Sequence, residues 1–344
     1  MPTPPPIYLN ASASISPYAP EETSPPLPSP RLRCIEPDYK NFIDPRMIRR
    51  MSRVVKIGTA AAVACLREAG VDMPGAILTG TTYGCLEDTE QFLHKMVAQN
   101  EEMLTPTAFI QSTHNTIGAQ IALLLQCHAY NNTYAHRAFS FEHALLDAVL
   151  LLREKEAPNA LVGGLDEITD VLYRVLSRFD LYKPAADQAT AYASEGTIAG
   201  EGAAFFLLSP EKVPATKAQL LDVATFYKPE NMPEQVAVFL QKNNLAASDI
   251  DLLLWGKNGD SRFDGLYDAV AEHALSSIPA AGFKQLCGEY PTAAAYATWL
   301  AVQILSGKSI PQGLLPNTGV LPKKILIYNH FYNIHHSLIL LGAQ

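Results

Sequence analysis

The chain has 344 residues, 48% of them hydrophobic, enough to bury one large core or two similar ones. A net charge of −8 and a pI near 5.6 argue against a nucleic-acid binder held by phosphate contacts, leaving small molecules or proteins as partners. Five cysteines (Cys34, Cys65, Cys85, Cys127 and Cys287) form no CxxC pair, and such an odd, scattered set reads as free thiols in a reducing cytoplasm. The opening MPTPPPIYLNASASISPYAP lacks a basic segment followed by an unbroken apolar run, so no signal peptide is expected. No window is apolar enough for a membrane span, and a cytoplasmic location is expected. The sequons at Asn10 and Asn131 read as chance.

In chain order, Ile7–Ser16 reads as a strand, followed by an exposed Pro/Ser/Glu-rich loop over 18–31. Arg46–Ala69 has helical periodicity and stops at Gly70. GAILTGTTYG is apolar and β-branched, hence a buried strand. Glu87–Gln99 and Ser112–Gln126 read as helices. NNTYAHR then forms a strand and a tight hand-over into the helix Ser140–Glu156. NALVGGLDE is a strand, Asp170–Phe179 a helix, and GEGAAFFLLSP a strand that Pro210 ends. The second part repeats the rhythm with strands LLDVATFY and IDLLLWG, a helix near Phe263–Leu275, a longer one over Pro291–Ser306, and closing strands ILIYNHF and HSLILLG. This alternation predicts a layered α/β protein of two stacked βα units, 1–209 and 210–344.

The junction at His136–Arg137 poses the functional question. A strand-to-helix turn aims a helix N-terminus at whatever sits there and favours a thiolate or oxyanion. No cysteine occupies it.

Five segments resemble, in this order, the β-ketoacyl-ACP synthases, the thiolase-fold condensing enzymes of fatty-acid and polyketide assembly. They are YKNFIDPRMIRRMSRVVKIGTAAAVACLREAGV, TGTTYGCLEDTEQFL, SEGTIAGEGAAFFLLSPEKV, FKQLCGEYPTAAAYATWLAVQIL and NHFYNIHHSLILL, and the resemblance runs from about Ile7 to Leu341. The resemblance implies a five-layered α-β-α-β-α core with two pseudo-equivalent halves, the second shortened. It also implies a nucleophilic Cys at the start of a buried helix and two His that assist decarboxylation, with no cofactor or metal. This chain departs at all three positions. His136, or Arg137 if the helix phase slips, stands for the Cys. Gly256, Lys257 and Asn258 stand near the first His, and Glu289 replaces the second, with Lys284 and Gly288 kept.

Two readings of the junction compete: His136 as an acyl-accepting nucleophile or base, or a polar plug with Arg137 satisfying Glu142 or Glu289. The plug is favoured because an acyl-imidazole hydrolyses too readily to hold a growing chain. Cys85 and Cys287 could be relocated nucleophiles but show no basic neighbour on a helix N-terminus, so burial is the expectation. His330, His335 and His336 could suggest a metal, yet His335 and His336 fall on opposite faces of a strand, so they are expected to line the cleft with His136. Lys284 and Glu201 are expected to support the site's shell, and His114 and Asn115 to cap a helix or sit at an interface. Within the resembled family, a subunit with the fold but without the Cys looks like a chain-length factor, and several segments are similar to those of flexirubin and aryl-polyene pigment pathways. The implied partners are a second copy or a catalytic β-ketoacyl synthase, and acyl carrier protein, without nucleic acid or a membrane. An active enzyme with a rearranged nucleophile and a stand-alone acyl-binding protein are the alternatives.

Overall fold

The computed structural model describes residues 5–18, 29–104, 106–183, 194–276, 278–308, 314 and 321–344. Its strands are β1 (Ile7–Ile15), β2 (Arg31–Leu32), β3 (Ala76–Gly80), β4 (Tyr130–Tyr134), β5 (Ala160–Asp166), β6 (Ala199–Gly200), β7 (Gly202–Ser209), β8 (Ala218–Tyr227), β9 (Leu252–Trp255), β10 (Ala280–Gly282), β11 (Lys324–Phe331) and β12 (His335–Gly342). Ten of them run in the order β10-β9-β11-β12-β8-β1-β7-β5-β3-β4.

That order contains a repeat. In the first half β1-β7-β5-β3-β4 pair antiparallel, antiparallel, parallel, parallel. In the second half β8-β12-β11-β9-β10 pair in the same four senses. Among the described strands, the three-residue antiparallel ladder Ile7–Leu9 with Ala218–Leu220 joins them. The halves therefore share topology where they share almost no residues.

Strand alternation sorts side chains into three apolar cores. On β7, Phe206 and Leu208 face the central core while Phe205 and Leu207 face the outer core of the first half. On β11, Ile325 and Ile327 point to the centre and Leu326 and Tyr328 to the outer core of the second half. Helix Arg53–Ala69 covers the first outer face, and Met232–Lys242 with Gly265–Ala274 covers the second. Between the sheets lie Ser140–Arg153, apolar along one broad face, and Ala293–Leu305, buried at every residue but its last. The result is the expected α-β-α-β-α stack.

Local differences have local causes. The helix expected from Arg46 is two, Pro45–Ile48 and Arg53–Ala69, because Ser52 adopts an extended backbone at the second N-terminus. Gly70, at φ 65°, closes the latter with a left-handed cap. Helix Met232–Lys242 and the short edge strand β10 were not expected. The helix is signalled by the Asn231 cap, Pro233 and Glu234 in its first turn, and Val236, Phe239 and Leu240 on one face. Of the Pro-rich segment, residues 19–28 lie outside the described ones, and Arg31 already belongs to β2.

Candidate functional site

The turn after β4 is built around one backbone oxygen. The Arg137 carbonyl accepts hydrogen bonds from Thr82 Oγ1 and Ser140 Oγ, each 2.6 Å away, while the His136 N–H donates to Ser140 Oγ at 2.9 Å. Arg137 itself takes a left-handed φ of 49°, unfavourable for a residue with a Cβ. The strained residue of the elbow is therefore Arg137, and helix Ser140–Arg153 starts three residues later.

The side chains do not form the expected plug. His136 and Arg137 are exposed. Arg137 forms no ion pair among the described residues, with Glu142, Glu289 or any other carboxylate. His136 Nδ1 meets His143 Nδ1 at 2.9 Å, so one ring donates and the other accepts. The groups that fill the turn are Ala138 and Phe139, both buried, with Phe139 edge-on to His335 at 4.7 Å between ring centres.

Deeper in, Lys284 and Glu289 form an ion pair of 2.7 Å with both side chains almost wholly buried. Asn258 Nδ2 donates to the same Glu289 oxygen at 2.5 Å, and Lys284 Nζ also donates to the His330 carbonyl at 3.3 Å. Burial pushes the Glu289 carboxyl up, opposed by Lys284 and Asn258. Its other oxygen, Oε1, has no partner. Lys257, expected in this cluster, turns instead to Asp268 at 2.5 Å and lies over the Trp255 ring; its neighbour Asn258 makes the inward contact.

The histidines divide by strand face. His330 and His336 point away from the elbow into the second outer core. There His330 stacks on Tyr267 at 4.3 Å, and His336 Nδ1 bonds Tyr328 OH at 3.0 Å. Only His335 shares the face of Phe139, so a single cleft lined by all three with His136 does not form. Burial lowers the His336 pKa to about 4 and holds His330 well below the usual range, keeping both rings neutral near pH 7. Among the described residues no three His, Cys, Asp or Glu groups converge as metal ligands.

Glu201 receives both Arg53 guanidinium nitrogens at 2.5 and 2.8 Å and the Cys34 N–H at 2.8 Å, so its partner is Arg53 and not Lys284. His114 Nε2 sits 3.2 Å from the Thr82 carbonyl, and Asn115 precedes helix Thr116–Leu125 without capping it by its side chain. Cys85 and Cys287 are fully buried, burial pushing the Cys85 thiol up to about 12 and Cys287 well above its ordinary value. Neither can supply a thiolate at neutral pH.

Two carboxylates were missed as site residues. Asp166, at the end of β5, accepts from Thr81 Oγ1, the Thr82 and Tyr83 N–H groups and Thr292 Oγ1, tying the first half to the helix at Ala293; burial raises its pKa to about 6. Glu142 has no exposure, and neither oxygen has a hydrogen-bond partner. Burial pushes it up to about 7, with Ser337 and the Lys284 charge opposing in part. An acidic residue in an otherwise apolar helix face is the only trace that Glu142 leaves in the sequence.

The profile of the "Beta-ketoacyl synthase, N-terminal domain" family matches residues 19–243, more than half of the chain. The chain belongs to the β-ketoacyl synthase family. Among solved structures, the ishigamide ketosynthase/chain length factor aligns at a TM-score of 0.78 and 15% identity, covering 99% of this chain and 100% of the other. A β-ketoacyl synthase from Burkholderia phymatum STM815 aligns at 0.82 and 13%, covering 99% and 100%. The ketosynthase ApeO with its chain length factor ApeC from Xenorhabdus doucetiae aligns at 0.78 and 15%, covering 99% and 98%. These likenesses establish the thiolase-like fold. No curated protein matches the chain.

Two measurements test the buried charges. Folding raises the Glu142 pKa from about 4.5 to about 7, so its protonated form is favoured in the folded state. Its contribution is therefore most favourable below pH 4.5, falls as pH rises to about 7 and is flat above. Glu142→Gln is expected to stabilise the protein by up to about 3 kcal/mol at pH 8 and by little at pH 4.5, read from urea unfolding. Lys284→Met should cost about 3–5 kcal/mol by stranding Glu289, while the double variant Lys284→Met/Glu289→Leu should recover most of that loss.

Proposed function

We propose that this β-ketoacyl synthase family member, with halves 1–209 and 210–344, is a non-catalytic subunit of the chain-length-factor type. Its role is to shape the tunnel of an active synthase in fatty-acid or polyketide-type synthesis. The observation that carries this reading is the elbow. Its backbone keeps a left-handed residue at the mouth of a helix, but presents Arg137 there, and all five thiols of the chain are buried. Lys284 and Glu289 neutralise each other where the family resemblance places an imidazole, so that position offers a carboxylate in an ion pair in place of a neutral donor to an enolate.

A subunit without chemistry needs a partner, and one edge of the structure favours association. β4 is the last strand of the ten-stranded sheet and its outer side has no strand partner among the described residues. Its sequence, YNNTY, holds no Lys or Pro to guard the edge. Tyr130 and Leu123 beside it are exposed, whereas Ile117 and Ile121 of the neighbouring helix are buried in the chain's own core. Strand pairing across β4, with a catalytic synthase or a second copy, would cover this edge; a stable interface of this kind buries roughly 2,000 Å² or more. Acyl carrier protein would then deliver chains to the partner's site.

Incubated alone with acyl- and malonyl-carrier protein, the purified chain is expected to yield neither ketoacyl product nor carbon dioxide. Turnover destroyed by His136→Ala would instead identify a rearranged nucleophile. Co-expression with a Cys-containing synthase should give a heterodimer by light scattering, weakened by Asn132→Pro within β4. A soluble monomer that ignores every such synthase would leave a stand-alone acyl-binding protein as the better account.

A further inference from the structure

Away from the elbow, a cleft of about 320 Å³ opens between the first turns of helix Leu86–Ala98 and the segment Glu167–Val171 that follows β5. Four carboxyl groups line it: Glu87 and Glu90 from the helix, Glu167 and Asp170 from the segment. Two arginines line it as well, and both are already committed. Arg33 pairs with Asp170 at 2.7 Å, and Arg53 pairs with Glu36 and Glu201, each at 2.5 Å. Glu90 accepts the Thr169 hydroxyl at 2.5 Å, and Glu87 accepts the Arg53 backbone N–H at 3.4 Å. Neither Glu87 nor Glu90 forms an ion pair among the described residues.

Glu167 is the group that the fold leaves open. It is only 3% exposed, it lines the cleft, and its Oε1 has no hydrogen-bond partner. Arg53 stays 3.9 Å from its other oxygen, with both terminal guanidinium nitrogens engaged by Glu201. The charges that face Glu167 are Glu87 on its helix, Arg53 on helix Arg53–Ala69 and Glu201 ahead of β7, with Glu90 along the cleft and Cys85 a neutral thiol. Burial, then Glu87 and Glu201, raise the Glu167 pKa to about 8, opposed by Arg53 and the Glu87 backbone. The helix dipole accounts for Glu87 in a first turn, but Glu167 lies on no helix. A buried oxygen without a donor, beside two carboxylates without a cation, calls for a positively charged ligand that donates hydrogen bonds. Among the described residues no three acidic groups converge as metal ligands, which favours an organic cation over a metal ion. Ile168 and Val171 supply apolar wall for its stem.

We propose that this cleft binds a small alkylammonium ion, whose ammonium donates to Glu167 Oε1 between Glu87 and Glu90 and whose stem rests on Ile168 and Val171. An ammonium is a compact charge with three donors, and it serves several carboxylates at once better than the planar fork of a guanidinium does. Seating it turns Glu167 from acid to carboxylate, and the displaced proton goes to solvent. Below about pH 8 binding therefore releases up to one proton, and affinity rises with pH. Above that Glu167 is already ionised, and affinity levels off until the amine loses its own charge at about pH 10. The site stands whether or not the chain is a non-catalytic subunit, because none of its residues lies in the elbow or the Lys284–Glu289 cluster.

Calorimetric titration of the full chain decides it, with n-butylamine and 1,4-diaminobutane as probes and tetramethylammonium and magnesium chloride as controls. At about pH 8 both amines are expected to saturate below about 10 mM, and their affinity should fall by up to about tenfold for each pH unit below 7. Titrations in two buffers of different ionisation enthalpy should count close to one proton released per amine at about pH 6.5 and about half of one at about pH 8. Glu167→Gln should weaken amine binding by about tenfold or more at pH 8, change it little at pH 6 and abolish the proton release, a pattern that general unfolding would not produce. Glu87→Gln/Glu90→Gln should weaken both amines while the proton release persists. The proposal is overturned if neither amine saturates, if tetramethylammonium, which has no N–H, binds as tightly as butylamine, or if magnesium binds more tightly than both amines. It is equally overturned if Glu167→Gln keeps the affinity and pH profile of the parent.

Discussion

Everything in this molecule is arranged around a helix that has no outside. Ala293–Leu305 lies between two sheets, and burial at every position but the last rules out the polar stripe that an ordinary surface helix keeps. Such a helix satisfies its backbone internally and needs small or apolar side chains where sheets approach from two sides, which is why AAAYATWLAVQIL reads as it does. Once it is enclosed, the rest follows. Each sheet must turn its apolar face inward to cover it, and a further helix layer must then cover each sheet's other face. The three cores are thus consequences of one packing constraint.

The same enclosure sets the electrostatics. Lys284, Glu289, Glu142 and Asp166 lie where a charge loses its hydration, and the structure answers each differently. Lys284 and Glu289 neutralise one another. Asp166 collects four donors from two elements. Glu142 has Ser337 and the Lys284 charge to oppose burial in part, and its proton affinity rises instead. The enclosed polar groups thus divide between those tied to protein partners and those, such as Glu289 Oε1 and His335 Nδ1, that have none.

Much of this was legible before any coordinates. Strands such as ILIYNHF and HSLILLG betray themselves as near-continuous apolar runs, buried on both faces, and the order of five motifs pointed to the family across nearly the whole chain. Pairing was harder. Glu289 could be matched to an imidazole position by the Lys284 spacing, but that Asn258 and not Lys257 reaches it depends on which way a loop residue turns, and no local pattern encodes that. His330 and His336 fall on one side of a two-strand ladder and His335 on the other, yet deciding which side faced the elbow required the register of β11 on β12. Arg137 was weighed as a plug from its charge. Its left-handed backbone, which turns the side chain to solvent, is a property of the turn and not of arginine.

The position of β1 in the sheet has a consequence for how the chain is made. Residues 7–15 are made well before their partners β7 and β8, with Tyr8 opposite Ser209 and Ile7 opposite Leu220. At typical synthesis rates of about 5–20 residues per second, an apolar nine-residue strand waits roughly 10–40 s for either neighbour to emerge. Throughout that interval both of its edges and its inward side chains are open to other nascent strands. The join between the two halves is therefore also the most vulnerable moment of biogenesis. A chaperone or a cotranslationally arriving partner would be needed most before residue 209 has cleared the exit tunnel.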